Sequence, residues 1–133
     1  MKALKGKVFL IEDELNIMSI YTTVLTANGI DVEGIASGRE AMEKIKEIQE
    51  GKRQKPALVL LDLVMPDING LEILYALRKN DATKDIAVFI LSNYSSDALK
   101  GITYIKPDKF LIKADITPMQ LVELVETQLN IKS

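Results

Sequence analysis

The chain has 133 residues, 47% of them apolar, a formal net charge of −2, and neither Cys nor His. That size suits one domain, 1–133, with no output domain expected, and the apolar share is enough to bury a full core. Without Cys and His there are no disulfides, thiolate or imidazole metal ligands, or Ser-His and Cys-His nucleophile pairs, which leaves carboxylates, Lys, hydroxyls and hard cations.

The charge gives no electrostatic case for nucleic-acid binding. No apolar stretch approaches the ~20 residues of a membrane span. Nothing after Met1–Lys7 reads as a signal peptide, so a cytoplasmic protein is expected.

In chain order, Lys7-Val8-Phe9-Leu10-Ile11 reads as a strand that ends in Glu12, Asp13 and Glu14. Leu15 to Asn28 reads as a helix, with Leu15, Met18, Tyr21 (or Thr22) and Leu25 at helical spacing and Asn28-Gly29 as its stop. Ile30–Ile35 is a weaker strand. Ser37-Gly38-Arg39-Glu40 has the form of a capping box, and Met42, Ile45 and Ile48 continue a second helix. Glu50 to Pro56 is a polar connection.

Ala57–Leu61 is an unbroken apolar run, the mark of a strand buried on both faces, and Asp62 ends it. Asn69-Gly70-Leu71-Glu72 starts a third helix with Leu71, Leu74, Tyr75 and Leu77 on one face, and Asn80-Asp81 ends it. Ile86–Leu91 is a fourth strand. A short helix is expected near Ser96–Gly101, then an irregular segment through Pro107. Phe110-Leu111-Ile112 is a fifth strand ending at Lys113. Thr117, Pro118 and Gln120 open a last helix that carries Leu121, Leu124, Val125, Gln128 and Leu129.

Five strands alternating with five helices argue for an α/β, doubly wound parallel sheet. The carboxyl ends of such strands lie along one edge, where open α/β sheets place ligands. Glu12, Asp13, Asp62, Ser92 and Lys113 therefore meet there. Two like charges at ~4 Å cost about 4 kcal/mol at an effective dielectric near 20, so the acids need compensation. Lys113 is one compensator. A hard divalent cation such as Mg²⁺ is another, since it takes one or two carboxylates and accepts phosphate oxygens. A nucleophilic carboxylate beside such a site is equipped for phosphoryl transfer onto Asp.

The pattern resembles the receiver domain of two-component response regulators. The resemblance rests on Ile11-Glu12-Asp13-Glu14, on Leu60-Leu61-Asp62-Leu63-Val64-Met65-Pro66-Asp67-Ile68-Asn69-Gly70, on Ile90-Leu91-Ser92 and on Phe110-Leu111-Ile112-Lys113. It implies a flavodoxin-like sheet of order 2-1-3-4-5, the order known for receivers. It implies Asp62 as phosphoacceptor and Mg²⁺ ligand, Asp13 as a direct Mg²⁺ ligand, Glu12 as one acting through water, and the Val64 backbone carbonyl as the third protein ligand. Ser92 then matches the switch hydroxyl, Phe110 the aromatic switch and Lys113 the phosphoryl-contacting Lys.

The implied partners are a sensor histidine kinase or phosphotransfer protein and a downstream protein target, with no nucleic acid and no membrane. The implied state is a monomer or a phosphorylation-dependent dimer.

Several positions depart from the family. Ala114 stands where Pro commonly follows the Lys in a cis bond; a cis Lys113–Ala114 bond would cost a few kcal/mol more than an X–Pro one. Asn93 replaces a small residue, and Phe110 replaces the more frequent Tyr. Val64 and Tyr94 occupy positions that tune aspartyl-phosphate lifetime in the family, and bulk there implies slow self-dephosphorylation. Two other classes fit parts of the pattern. A degenerate receiver would act only as a binding module. A Mg²⁺-dependent carboxylate-nucleophile phosphatase would need a second acid two residues after the nucleophile, where this chain has Val64.

Overall fold

The computed structural model describes residues 6–93 and 105–132. Five strands, β1 (Lys7–Ile11), β2 (Asp31–Ile35), β3 (Leu58–Asp62), β4 (Ala87–Ser92) and β5 (Lys109–Ile112), form one sheet of order β2-β1-β3-β4-β5. Every neighbouring pair is parallel. The helices are α1 (Leu15–Ala27), α2 (Gly38–Gln49), α3 (Gly70–Arg78) and α4 (Pro118–Lys132), with a 3₁₀ turn at Lys113–Asp115. Five helices were expected; the described residues hold these four and the turn, and the helix expected at Ser96–Gly101 lies outside them. Among the described residues no helix is long and apolar enough to cross a membrane.

The continuous apolar reading of the strands has a direct cause. Side chains alternate between the faces of a sheet, and here both faces are covered. Phe9, Ile11, Val59, Leu61, Val88 and Ile90 pack with Ile45 of α2 and Ile73 and Leu77 of α3. Val8, Leu10, Leu58, Leu60, Phe89 and Leu91 pack with Tyr21 and Leu25 of α1 and Leu121, Val125 and Leu129 of α4. Glu12 and Asp62 continue the parity of this second set, so both acids end strand rows that face α1 and α4.

Register brings the strand ends level. Ile11 lies opposite Leu61, Asp62 opposite Leu91, and Ser92 opposite Ile112. The helix starts follow the expected caps. The Ser37 hydroxyl accepts from the Glu40 N–H at 3.1 Å, and Asn69 Oδ1 accepts from the Leu71 N–H at 2.8 Å. At α4 the box is reciprocal: the Thr117 N–H donates to Gln120 Oε1 at 2.8 Å and the Gln120 N–H donates to Thr117 Oγ1 at 3.1 Å.

Two expected core positions turn outward. Leu15 is 69% exposed and Tyr75 is 41% exposed. In α3 the buried stripe is Gly70, Ile73, Leu74, Ala76 and Leu77. Its phase is set by Gly70, where a Cβ would stand 2.4 Å from the Asp62 carbonyl oxygen and 2.7 Å from Leu63 Cα. Only a glycine lets the helix start this close to the end of β3. With Gly70 inward, Tyr75 faces solvent. Leu15 opens α1 at the rim of the sheet, above the strands rather than on them. The described residues contain no cis peptide bond, so Lys113–Ala114 is trans and lies within the 3₁₀ turn.

Candidate functional site

At the carboxyl edge of the sheet, Glu12, Asp13 and Asp62 each place a carboxylate oxygen within 4.8 Å of the others. Lys113, delivered by the end of β5, donates to Glu12 Oε1 at 2.7 Å and stands 3.7 Å from Asp62 Oδ2. Local backbone fixes both acids. Glu12 Oε2 accepts from the Glu14 N–H at 3.1 Å, and Asp62 Oδ1 accepts from the Val64 N–H at 3.3 Å. These bonds hold the carboxylates at the strand ends in defined orientations.

The two strand-end acids are buried. Glu12 is 1% exposed and Asp62 7%. Burial and the neighbouring Glu12 carboxylate push the Asp62 carboxyl up to about 6, against the opposing pull of Lys113 and the Val64 N–H. Burial disfavours the Lys113 ammonium, yet the Glu12 hydrogen bond and the charges of Asp62 and Glu12 outweigh it and raise its pKa. Burial likewise raises the nearby Tyr21 phenol, with Lys113 working against it.

An open depression of about 610 Å³ lies over this cluster. Glu12, Asp13, Asp62, Val64 and Lys113 all line it, as expected, and Val64 is 57% exposed at its mouth. Ser92 does not line it. It is buried at the end of β4, and Asn93 beside it faces the depression instead. Phe110 is half-buried and packs against the core under α2 and α3. Tyr94 lies outside the described residues.

Sequence reading missed that Glu14, Leu15 and Asn16 form part of the wall. Leu15 carried a signal, as an apolar residue directly after three acids, but helical spacing assigned it to the core. Asp67, in the loop between β3 and α3, caps α2. Its Oδ1 accepts from the Gly38 N–H at 3.0 Å and its Oδ2 from the Arg39 N–H at 2.8 Å. These bonds, the Arg39 N–H first, hold the Asp67 carboxyl below its ordinary range. The loop that leaves Asp62 is thereby tied to the start of α2.

Three convergent carboxylates form an all-oxygen donor set, the kind that suits a hard cation such as Mg²⁺ and not a soft metal. The ammonium of Lys113 lines the same depression as the three acids.

Known proteins are similar to this chain. The chain is 34% identical to the regulatory protein LuxO of Vibrio cholerae over 105 residues, 78% of this chain and 21% of LuxO. It is 33% identical to the probable transcriptional regulator ycf27 of Porphyridium aerugineum, across 95% of this chain and 49% of that protein. It thus spans between about a fifth and a half of these curated relatives.

Among solved structures, the signal receiver domain of a putative LuxO repressor protein from Vibrio parahaemolyticus superposes with a TM-score of 0.76 at 27% identity, covering 96% of this chain and 92% of that one. TrrA of Thermotoga maritima, solved in complex with Mg²⁺-BeF, gives 0.76 at 26% identity, covering 93% and 99%. Residues 8–126 match the response regulator receiver domain family itself. With the sheet order, the acid cluster and this match in agreement, the chain belongs to the family of response regulator receiver domains.

Proposed function

We propose that this receiver accepts a phosphoryl group on Asp62 from a partner histidine kinase or phosphotransfer protein. One observation carries the reading: the Asp62, Asp13 and Glu12 carboxylates converge within 4.8 Å while Lys113 Nζ reaches both Glu12 and Asp62. Asp13, Asp62 and the Val64 carbonyl would hold Mg²⁺, with Glu12 acting through water. When bound, the ion neutralises charge on the acids and on the phosphoryl oxygens.

An Asp62 carboxylate oxygen forms the new bond to phosphorus as the donor's bond to phosphorus breaks. For a phosphohistidine donor, the leaving imidazole takes a proton from solvent. Lys113 gives its ammonium to a phosphoryl oxygen and the Ser92 hydroxyl turns to donate to another. Phe110 then repacks and the surface beyond β4 changes its affinity for a downstream protein, or the group passes to another protein's His. Val64 at the mouth hinders attacking water, so the acyl phosphate is long-lived; a half-life of seconds in Mg²⁺ rejects this last point.

The test is incubation with acetyl phosphate and Mg²⁺. Stoichiometric, acid-stable, hydroxylamine-labile labelling that Asp62→Asn abolishes is the expected result. The labelling rate at limiting Mg²⁺ falls as the pH drops through about 6, because the protonated Asp62 carboxyl is no nucleophile. Multiple turnover of phosphate esters would identify a phosphatase instead. Absence of labelling would leave a binding module.

A further inference from the structure

A second concave surface lies away from the acids, between α2 and α3. It is a groove of about 510 Å³. Met42 and Ile45 of α2, Ile68 of the loop and Ala76 of α3 make its apolar floor. Arg39, Lys46 and Lys79 stand around it, against a single acid in the lining, Glu43. Among the described residues none of these three cations is ion-paired, whereas Lys44 on the same helix pairs with Glu33 at 3.0 Å. Lys79 rests over the exposed Tyr75 ring at 5.0 Å.

The groove is built, not incidental. At one end Asp67 ties the Ile68 loop to the first two N–H groups of α2. At the other end Gln49 of α2 donates to the Ala76 carbonyl at 3.1 Å and to Thr83 Oγ1 at 3.2 Å, and Thr83 donates to the Leu77 carbonyl at 2.7 Å. α2 is thus tied to the Ile68 loop at one end and to α3 at the other. A preformed cleft with these walls needs little ordering on binding.

We propose that this groove docks an acidic amphipathic helix of a partner protein. A helix laid along two helices seats its apolar side chains between them. Carboxylates flanking that apolar face would meet Arg39, Lys46 and Lys79, and this charge match selects the partner's sign. The inference does not depend on the phosphorylation reading, since it uses neither Asp62 nor Lys113.

The test uses ¹⁵N-labelled full chain and two synthetic amphipathic peptides of about 15 residues, near the length at which helices form alone. Both carry Leu on one face; one has Glu elsewhere and the other Lys. The acidic peptide is expected to shift the amides of Met42, Ile45, Ile68 and Ala76 saturably, with weaker binding at higher salt, while the basic peptide leaves them in place. Lys46→Glu with Lys79→Glu should reverse that preference by about tenfold or more. Should this variant fail to fold, Lys46→Gln with Lys79→Gln replaces it and should abolish the preference. Shifts centred elsewhere, or unchanged binding by the substituted protein, overturn the proposal. So do groove shifts on concentrating the protein alone, which would make a second copy the occupant.

Discussion

Two carboxylate clusters in this molecule face Lys side chains and come out with opposite electrostatics. At the site, Asp62 and Glu12 share one ammonium, and Asp62 is pushed up to about 6. On the edge strand β2, Glu33 faces Lys7 at 3.3 Å, Lys44 at 3.0 Å and Arg53 at 3.9 Å, while Glu40 lies 3.8 Å from Lys44 and Glu47 2.9 Å from Arg53. Burial pushes Glu33 up too, but the hydrogen bonds and charges of Lys44 and Lys7 outweigh it and hold it below the ordinary range. The difference is stoichiometry and water. Acids outnumber the cation where the side chains are buried; cations match the acids in number where the pairs are more exposed. Among the described residues the fold leaves acidic charge short of cations where three carboxylates converge.

Removing a cation should therefore hurt the two clusters very differently. Lys113→Met keeps the aliphatic stem but leaves Glu12, 1% exposed, without its 2.7 Å partner. Breaking a buried pair in this way costs about 3–5 kcal/mol. Lys44→Met removes one of several cations from a half-exposed acid and costs at most about 1 kcal/mol. Urea unfolding at neutral pH measures both, and equal losses would erase the contrast.

Removing the acid should have the reverse sign at the site. Asp62 has a folded pKa of about 6 against an ordinary 3.8. The folded state thus binds the proton more tightly than the unfolded one. The stability this contributes is complete below 3.8 and is lost as the pH rises through about 6. Asp62→Asn keeps the neutral form at every pH. Its advantage over the parent in metal-free buffer should grow between pH 4 and 6 and level off near pH 7 at up to about 3 kcal/mol. A parent protein that is equally stable at all these pH values would show that Asp62 is not strained. Adding Mg²⁺ should close much of the gap by stabilising the parent, by about 1.4 kcal/mol at tenfold over its Kd. Asp13→Asn should abolish that thermal shift.

Much of this was legible in the residues, and the reasons are specific. The strands were readable because both sheet faces are covered, so Ala57–Leu61 and Ile86–Leu91 are apolar at every step. Their carboxyl ends moved by one residue because the ladder continues through the Asp62–Leu91 and Ser92–Ile112 pairings. Glu12, Asp13, Asp62 and Lys113 could be assembled because each directly follows or ends a readable strand, and parallel strands share an edge. Helix phase was less legible. Spacing permits Tyr75 or Ala76 on the buried side, and only the contact of Gly70 with the Asp62 carbonyl decides between them. Ser92 was placed correctly at a strand end, but by alternation it continues the row of Val88 and Ile90, whereas Asn93 continues the row of Phe89 and Leu91 on the side of Glu12 and Asp62 and fronts the depression. The Asp67 link to Gly38 and Arg39 joins loops far apart in the chain, which no local pattern reveals.

The smallest effect sharpens the comparison from its other side. Glu33→Gln removes the acid that three cations surround. Its folded pKa is lowered, so its contribution is present above the ordinary 4.5 and lost as the pH falls through the folded value. The substitution should therefore destabilise at neutral pH, by less than about 1 kcal/mol, and lose its effect in acid. Salt should diminish it as well, because Lys7 and Arg53 are solvent-accessible and screening over ~10 Å acts at 0.1 M. The Asp62→Asn gain should resist salt far better, since desolvation, its largest cause, is not screened. Unfolding of both variants in low and high salt sets the two carboxylates side by side. A Glu33 effect that persists in salt, or an Asp62 effect that vanishes in it, would mean that water reaches the two clusters alike.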